Sequence, residues 1–566
     1  MKFNVVFFGV CMAASVSAGR LDFETGFRRV ARQCVGLLSL IATVVVAAEQ
    51  PGDALSPQED SAAHKVCDPP SQNIGSRVIR VTPAGPRRED GSLAFVPGVC
   101  VYLPPGYDDG KLRYPVLYHT HGGGSQQKMI FADHLDNAYL ENSDNAVIQV
   151  VPDGSGLAAW FDRFDNNNTS VQTAQKEEQG VAYGRTLNET YVLNWIIPYV
   201  DKHFRTIPTK AGRAIWGISN GGHGTMLLAS KRPDLFVAAA SMSGNVAWQS
   251  FTFSQEMIFD PETFQYSPAY RAGNLPANLA SNLDGVDLIF DIATSCPPDP
   301  DDPWCFAYFA FESLFIQGNR DLQAALKVVG HIGLNDYRET EGGHNEKWWS
   351  QWFASRHLPF LLDKLSGPQP VSAPVAPVPQ PDTFRYRSIS YDFSIYGYEI
   401  HVERDVREFL DLLVDGDEIA VSGSGRAQVT TASRYVPGME YRIIGLLDGT
   451  EPVVVKANDQ GRLELDFDLG PSNQIEYEGH GDNNGFVSDP LAPAVGPTPT
   501  VTRLAIVSEI ASVATSPVDN PVADVVPERR RSGGSADFVL LLGLLCLLAF
   551  RVRSGRGPAA LDAARR

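Results

Sequence analysis

Gly217-Ile218-Ser219-Asn220-Gly221 fits the pattern G-x-S-x-G. The residues before it, Arg213-Ala214-Ile215-Trp216, read as a short buried strand, and Gly222 to Ala229 can open a helix. A strand that turns into a helix between glycines is the setting of a nucleophile elbow. The turn there is so sharp that only small residues fit beside the serine, whose oxygen stands exposed. A serine hydroxyl is a weak nucleophile at neutral pH and needs a base, itself oriented by an acid. In the chain order serine, acid, histidine, the base candidate is His344, in Glu341-Gly342-Gly343-His344-Asn345. It lies in a Gly-rich loop between a strand-like run and a helix starting near Trp348. The acid should follow the strand Asp287 to Ala293. Pro298-Asp299-Pro300-Asp301-Asp302-Pro303 offers three carboxylates there. Asp299 is nearest the strand end and is the expected acid, with Asp302 second.

A tetrahedral oxyanion needs two preorganised N–H donors. The backbone of Asn220 is one candidate, and Gly123, in the loop His121-Gly122-Gly123-Gly124, is the other. His121 is expected to brace that loop, and His223 to be structural. Trp160 and Phe161 could line an aromatic or sugar site, with core packing as the alternative. Asp482-Asn483-Asn484-Gly485 lacks the distal Glu of a calcium-binding EF-hand and reads as a polar turn. No C-x-x-C pattern points to zinc, and neither a metal nor a cofactor is expected.

The elements that would position these residues follow from periodicity. From about 65 to 365, strand-like and helix-like segments alternate, as in α/β proteins. Tyr114 to His119, Ala146 to Val151, Val237 to Met242 and Val286 to Ala293 read as buried strands, and Asn188 to Phe204 as an amphipathic helix. The expected domain is an α/β-hydrolase with a mostly parallel sheet. Residues 366–382 form a Pro/Ala/Val-rich linker. Beyond it the period becomes two, at Tyr398, Ile400 and Val402 and again at Leu463, Leu465, Phe467 and Leu469. Residues 383–480 therefore read as a small all-β, Ig-like sandwich, and 486–535 as a flexible stalk.

With 566 residues the chain has room for two or three domains, and a net charge of −19 argues against nucleic acid as partner. The ends read as addresses. Residues 1–48 hold two runs in signal-peptide order, of which the second, after Arg28, Arg29 and Arg32, is the expected working signal. Of seven cysteines, Cys67, Cys100, Cys296 and Cys305 lie in the mature body. In an exported protein they suggest two disulfides. Cys67–Cys100 with Cys296–Cys305 is preferred among three possible pairings. Segment 536–556 holds an apolar run, Phe538 to Phe550, behind Ser532-Gly533-Gly534-Ser535 and ahead of Arg551, Arg553 and Arg556. This tail resembles the GlyGly-CTERM sorting signal of Gram-negative bacteria. The resemblance implies secretion machinery and a rhomboid-type protease as partners, membrane contact before processing, and a final place outside the cell or on its surface. A simple tail anchor is the alternative.

Residues 98–363 resemble the esterase-D-like α/β-hydrolases, which include feruloyl and acetyl-xylan esterases of carbohydrate esterase family one, enterochelin esterases and mycolyltransferases. The resemblance is carried by Val101 to Tyr107, Tyr114 to Gly124, Pro152-Asp153-Gly154, Trp160-Phe161-Asp162, Glu189-Thr190, Ile197 to Asp201, Phe204-Arg205-Thr206, the elbow, and Gly343-His344 with Trp348 or Trp349. It implies Ser219 as nucleophile, His344 as base, and Gly123 with Asn220 as oxyanion donors. Two departures stand out: Asn220 where many members carry Met, and no Gly-x-x-Asp after the acid-bearing strand. The expectation is an exported serine carboxylic-ester hydrolase acting on acyl or feruloyl groups, with polysaccharide-linked esters as candidates. An acyltransferase or peptidase on the same machinery is one alternative. A noncatalytic surface binding protein is another.

Overall fold

The computed structural model describes residues 67, 77–81, 83, 98–123, 131–154, 160–162, 187–247, 269, 272–298, 302–375, 380–445, 451–474 and 500–508. The signal region, residues 482–485 and the apolar tail segment lie outside the described residues. Among those described, no helix is long and apolar enough to cross a membrane.

The catalytic-type residues sit on an eight-stranded sheet. Its strands are β1 (Arg77–Val81), β2 (Val99–Leu103), β3 (Val116–Thr120), β4 (Ile148–Pro152), β5 (Arg213–Ile218), β6 (Ala238–Met242), β7 (Asp287–Ser295) and β8 (Asn335–Glu341). Their spatial order is β1-β2-β4-β3-β5-β6-β7-β8. The six strands from β4 to β8 across the sheet run parallel, and the β1–β2 and β2–β4 pairings are antiparallel. β2 through β6 are buried along their whole length, which is why they read as continuous apolar runs rather than alternating ones. Helical backbone runs from Asn188 to His203, with Val192, Ile196 and Val200 inward as the period-3.6 pattern requires. Four further helices frame the site: α1 (Ala132–Glu141), α2 (Asn220–Lys231), α3 (Cys305–Val329) and α4 (Glu346–Trp352). The disulfides are Cys67–Cys100 and Cys296–Cys305, the preferred pairing.

The second lobe is two antiparallel sheets. One has six strands: β9 (Thr383–Ser388), β12 (Leu410–Asp415), β13 (Glu418–Gly423), β18 (Thr500–Ser508), β15 (Glu440–Gly445) and β16 (Val453–Lys456). The other has four: β10 (Asp392–Ile395), β11 (Tyr398–Glu403), β14 (Arg426–Thr430) and β17 (Glu464–Asp468). Side chains of both, such as Leu412 and Ile419 with Ile400, Val429 and Leu465, form one core.

Two boundaries need correction. The expected stalk, 486–535, contributes β18, which pairs with both β13 and β15 inside the larger sheet. Its Thr-Val-Thr-Arg-Leu-Ala-Ile-Val run has strand propensity that the surrounding Pro-rich composition masks. The expected linker is strapped to the hydrolase lobe at its start: Ser366 N–H donates to Ala211 O at 2.8 Å, and Gln369–Pro370 pair with Leu112–Arg113.

The lobes also meet through β9. Asn282 Nδ2 donates to Arg387 O at 2.8 Å, and Arg387 N–H donates back to Asn282 Oδ1 at 2.7 Å. Tyr386 OH donates to Lys231 O at 2.7 Å, and Arg385 reaches Asp284 at 2.8 Å.

Candidate active site

The elbow is built where β5 ends. Ser219 has φ 54° and ψ −121°, backbone that a residue with a side chain adopts only when its surroundings impose it. Its N–H donates to Met242 O at 3.0 Å, and its carbonyl accepts from Gly222 N and Asn245 N at 2.9 and 3.0 Å. The two motif glycines are needed for close approach. A Cβ on Gly221 would stand 1.9 Å from Thr120 O, and one on Gly217 would stand 2.4 Å from Gly221 O. Thr120, at the end of β3, ties the turn together: its hydroxyl meets Gly221 O at 2.7 Å and Thr225 Oγ1 at 2.8 Å.

His344 comes from the loop between β8 and α4. Gly342 enters that loop at φ 152°, with its N–H donating to Ser295 O at 2.8 Å. Asn345 then caps α4 by accepting from Lys347 N and Trp348 N. The imidazole is walled by Phe311, Phe315 and Trp349, with ring centroids 5.7, 5.4 and 4.8 Å away. Trp349 is itself held by Ser243 Oγ at 2.8 Å. His344 Nε2 lies 2.9 Å from Ser219 Oγ.

The carboxylate that meets His344 Nδ1 among the described residues is Glu312. Glu312 Oε1 is 3.0 Å from His344 Nδ1, and Oε2 accepts the Ala293 N–H at 3.1 Å. A carboxylate only accepts, so Nδ1 carries the proton and Nε2 is free to accept from the serine hydroxyl. Glu312 is fully buried, 0% exposed, so these two bonds are what offset its removal from water. Asp299 and Asp301 lie outside the described residues. Asp302 is turned to other work: its Oδ2 accepts from Asn345 Nδ2 at 2.8 Å and Trp348 Nε1 at 3.0 Å, bracing the residues after the histidine. Glu312 reaches the end of β7 because it projects from α3, which packs along that strand. The sequence carries a signal for it: it is the one carboxylate between Asp302 and Asp321, inside the aromatic run Phe306 to Phe315. An acid in such surroundings has to be partnered.

The Gly-rich loop lies against the nucleophile. A Cβ on Gly122 would stand 3.2 Å from Ser219 Cβ, so a side chain there would crowd the attacking serine. His121 braces this loop as expected. Gly154 N–H donates to its Nε2 at 2.9 Å, so Nδ1 carries the proton and donates to Gly122 O at 2.9 Å. Gly123, the next residue, is exposed. Asn220 opens α2, where the first N–H groups lack intrahelical acceptors.

Trp160 and Phe161 do not line a substrate surface; both are 1% exposed. Trp160 donates to His121 O at 3.2 Å and fills the space over Gly224, whose Cβ would lie 2.4 Å from the indole ring. Phe161 packs edge-on against His223. His223 is buried, with Nε2 3.0 Å from Asn274 O, and burial holds its pKa down at about 3. It stays neutral and structural.

Sheet order, elbow and the Ser219–His344–Glu312 chain define the α/β-hydrolase class of fold. Residues 93–360 match the protein-family model described as "Putative esterase". An esterase of Mycobacterium tuberculosis is 31% identical over 292 residues, a stretch that covers 48% of this chain and 59% of the relative. An endo-1,4-beta-xylanase/feruloyl esterase of Xylanibacter ruminicola is 29% identical over 177 residues, covering 29% of this chain and 21% of that one. A solved ferulic acid esterase aligns over 51% of this chain and 99% of its own, at 19% identity and TM-score 0.37. The chain thus spans less than two thirds of the curated relatives it matches.

Proposed function

We propose that this chain is an exported serine esterase that hydrolyses carboxylic esters through Ser219, His344 and Glu312. The observation that carries the reading is the hydrogen-bonded run from Ser219 Oγ through both nitrogens of His344 to Glu312. Ser219 Oγ attacks the ester carbonyl while His344 Nε2 takes its proton. Glu312 holds the ring in the needed tautomer and offsets the imidazolium charge. The oxyanion forms against the Asn220 N–H and the Gly122–Gly123 loop. The alcohol leaves with the proton from His344. Water, deprotonated by the same nitrogen, then frees the acid and restores Ser219. A buried carboxylate on His344 Nδ1 favours the esterase reading over the noncatalytic binding protein.

The named feruloyl esterase among the relatives favours aryl or acyl esters, with polysaccharide-linked ones as candidates. The test is hydrolysis of p-nitrophenyl acetate and methyl ferulate by the purified chain beside Ser219→Ala. The variant should lose at least about 10,000-fold in kcat/KM, and equal rates would contradict the assignment. Export and C-terminal sorting rest on the signal-like N-terminus and the Gly-Gly tail. Mass spectrometry of released protein should find an end near Ser532 to Ser535, and an intact Arg566 would remove the sorting idea.

A further inference from the structure

The Cys296–Cys305 disulfide joins two elements that both hold the same carboxylate. Cys305 is the first residue of α3, and Glu312 lies seven residues on. At about 3.6 residues per turn that is two turns, so both face the same way, and both are buried. Cys296 immediately follows β7, three residues after Ala293, whose N–H holds Glu312 Oε2. The bridge also touches the histidine loop. Gly343, just before His344, has so little room that a Cβ there would stand 3.1 Å from Cys305 Sγ.

Besides the bridge, the start of α3 is tied through Asp302, whose Oδ2 accepts from Asn345 and Trp348. Trp304, at the N-cap, offers no side-chain cap, and Trp304 and Phe306 are exposed. Cys305 N–H donates to Asp302 O at 3.1 Å. A glutamate on a helix reaches a histidine on a separate loop only if the helix stays in place along its strand.

We propose that the Cys296–Cys305 disulfide is a positioning element for Glu312 and His344, so that hydrolysis depends on its oxidised state. This rests on the esterase reading above. A dithiol such as dithiothreitol would open the bridge by two exchanges. One thiolate bonds to a cysteine sulfur and expels the other cysteine as thiolate. The second thiol then closes the reagent into a cyclic disulfide and releases the first cysteine. Two electrons pass to the protein, which gains two thiols. The first two turns of α3 then lose their covalent tie to the end of β7, while the rest of the helix stays packed, and Glu312 is less firmly held on His344 Nδ1. An exported chain would gain its full rate only where disulfides form.

The test compares full-length wild type, Cys296→Ala/Cys305→Ala and Cys67→Ala/Cys100→Ala on p-nitrophenyl acetate, with and without dithiothreitol, thiols being counted by mass spectrometry. Cys296→Ala/Cys305→Ala should lose about 10- to 100-fold in kcat with KM changed by less than about twofold. Dithiothreitol should slow wild type and the Cys67/Cys100 variant alike, and leave the Cys296/Cys305 variant unchanged. Adding Glu312→Gln to the Cys296/Cys305 variant should cost far less than adding it to wild type, since both act through one contact. Should the double variant not fold, dithiothreitol titration of the folded Cys67→Ala/Cys100→Ala variant, which keeps only the Cys296–Cys305 bridge, followed by circular dichroism, gives the same comparison. An undiminished kcat with two free thiols at Cys296 and Cys305 would overturn the proposal. Oxidised wild type with no Ser219-dependent hydrolysis would instead overturn the esterase reading beneath it.

Discussion

Trp160 illustrates how far a single residue can be read. Two residues before Asp162 and ahead of the helix at Asn188, its sequence position suits both a substrate wall and a core. Only its contacts decide, and they place it in the packing between α2 and the Gly-rich loop. Trp160→Ala should therefore cost stability, about 3–5 kcal/mol of unfolding free energy, measured as a lower denaturant midpoint. An unchanged midpoint with a raised KM would return Trp160 to the substrate side. Ser219 and His344 were legible because each carries a local signature, small residues around a sharp turn for one and a Gly-rich loop for the other. Glu312 was less so: its one signal, a lone acid inside the aromatic run Phe306 to Phe315, says that it needs a partner and not which partner. Its burial comes from α3 lying along β7, a tertiary fact.

At the scale of elements, the parallel strands announced themselves by continuous apolar runs, and the helix from Asn188 by its period. The sheet places Ser219 at the end of β5 and His344 just after β8. β6 and β7 lie between them, so the histidine loop and the Ser219 turn must both fold over the same sheet edge to meet. The acid sits on a helix following β7 instead of in the loop after it. The longer glutamate side chain spans the added distance and still returns to Ala293 at the strand end. β18 escaped the sequence reading because it is separated from its partners by a long polar and Pro-rich stretch. Composition averaged over 486–535 hides one nine-residue strand.

At the scale of the whole molecule, burial of histidine ties stability to pH. His119 and His223 are fully buried, and burial holds both pKa values down at about 3. Unfolded, each would titrate near 6.5. Below that pH the unfolded chain takes up protons the folded chain refuses, so this share of stability is complete above about pH 6.5 and is lost as pH falls towards 3. His357, also fully buried and held down at about 3 by burial, is a third such group, and three give a slope of up to about 4 kcal/mol per pH unit. Denaturant midpoints measured from pH 7 to pH 4 should fall accordingly, and His119→Phe should flatten the fall. A variant curve parallel to wild type would mean that His119 is protonated in the folded state.

Hydrolysis by Ser219 turns on which carboxylate serves His344. The most direct measurement is kcat/KM on p-nitrophenyl acetate for wild type, Glu312→Gln and Asp299→Asn, all confirmed folded. Glu312→Gln should lose about 1,000- to 10,000-fold, because the amide favours the wrong tautomer, while Asp299→Asn should stay within about twofold of wild type. A large loss for Asp299→Asn with Glu312→Gln near wild type would contradict the Ser219–His344–Glu312 assignment.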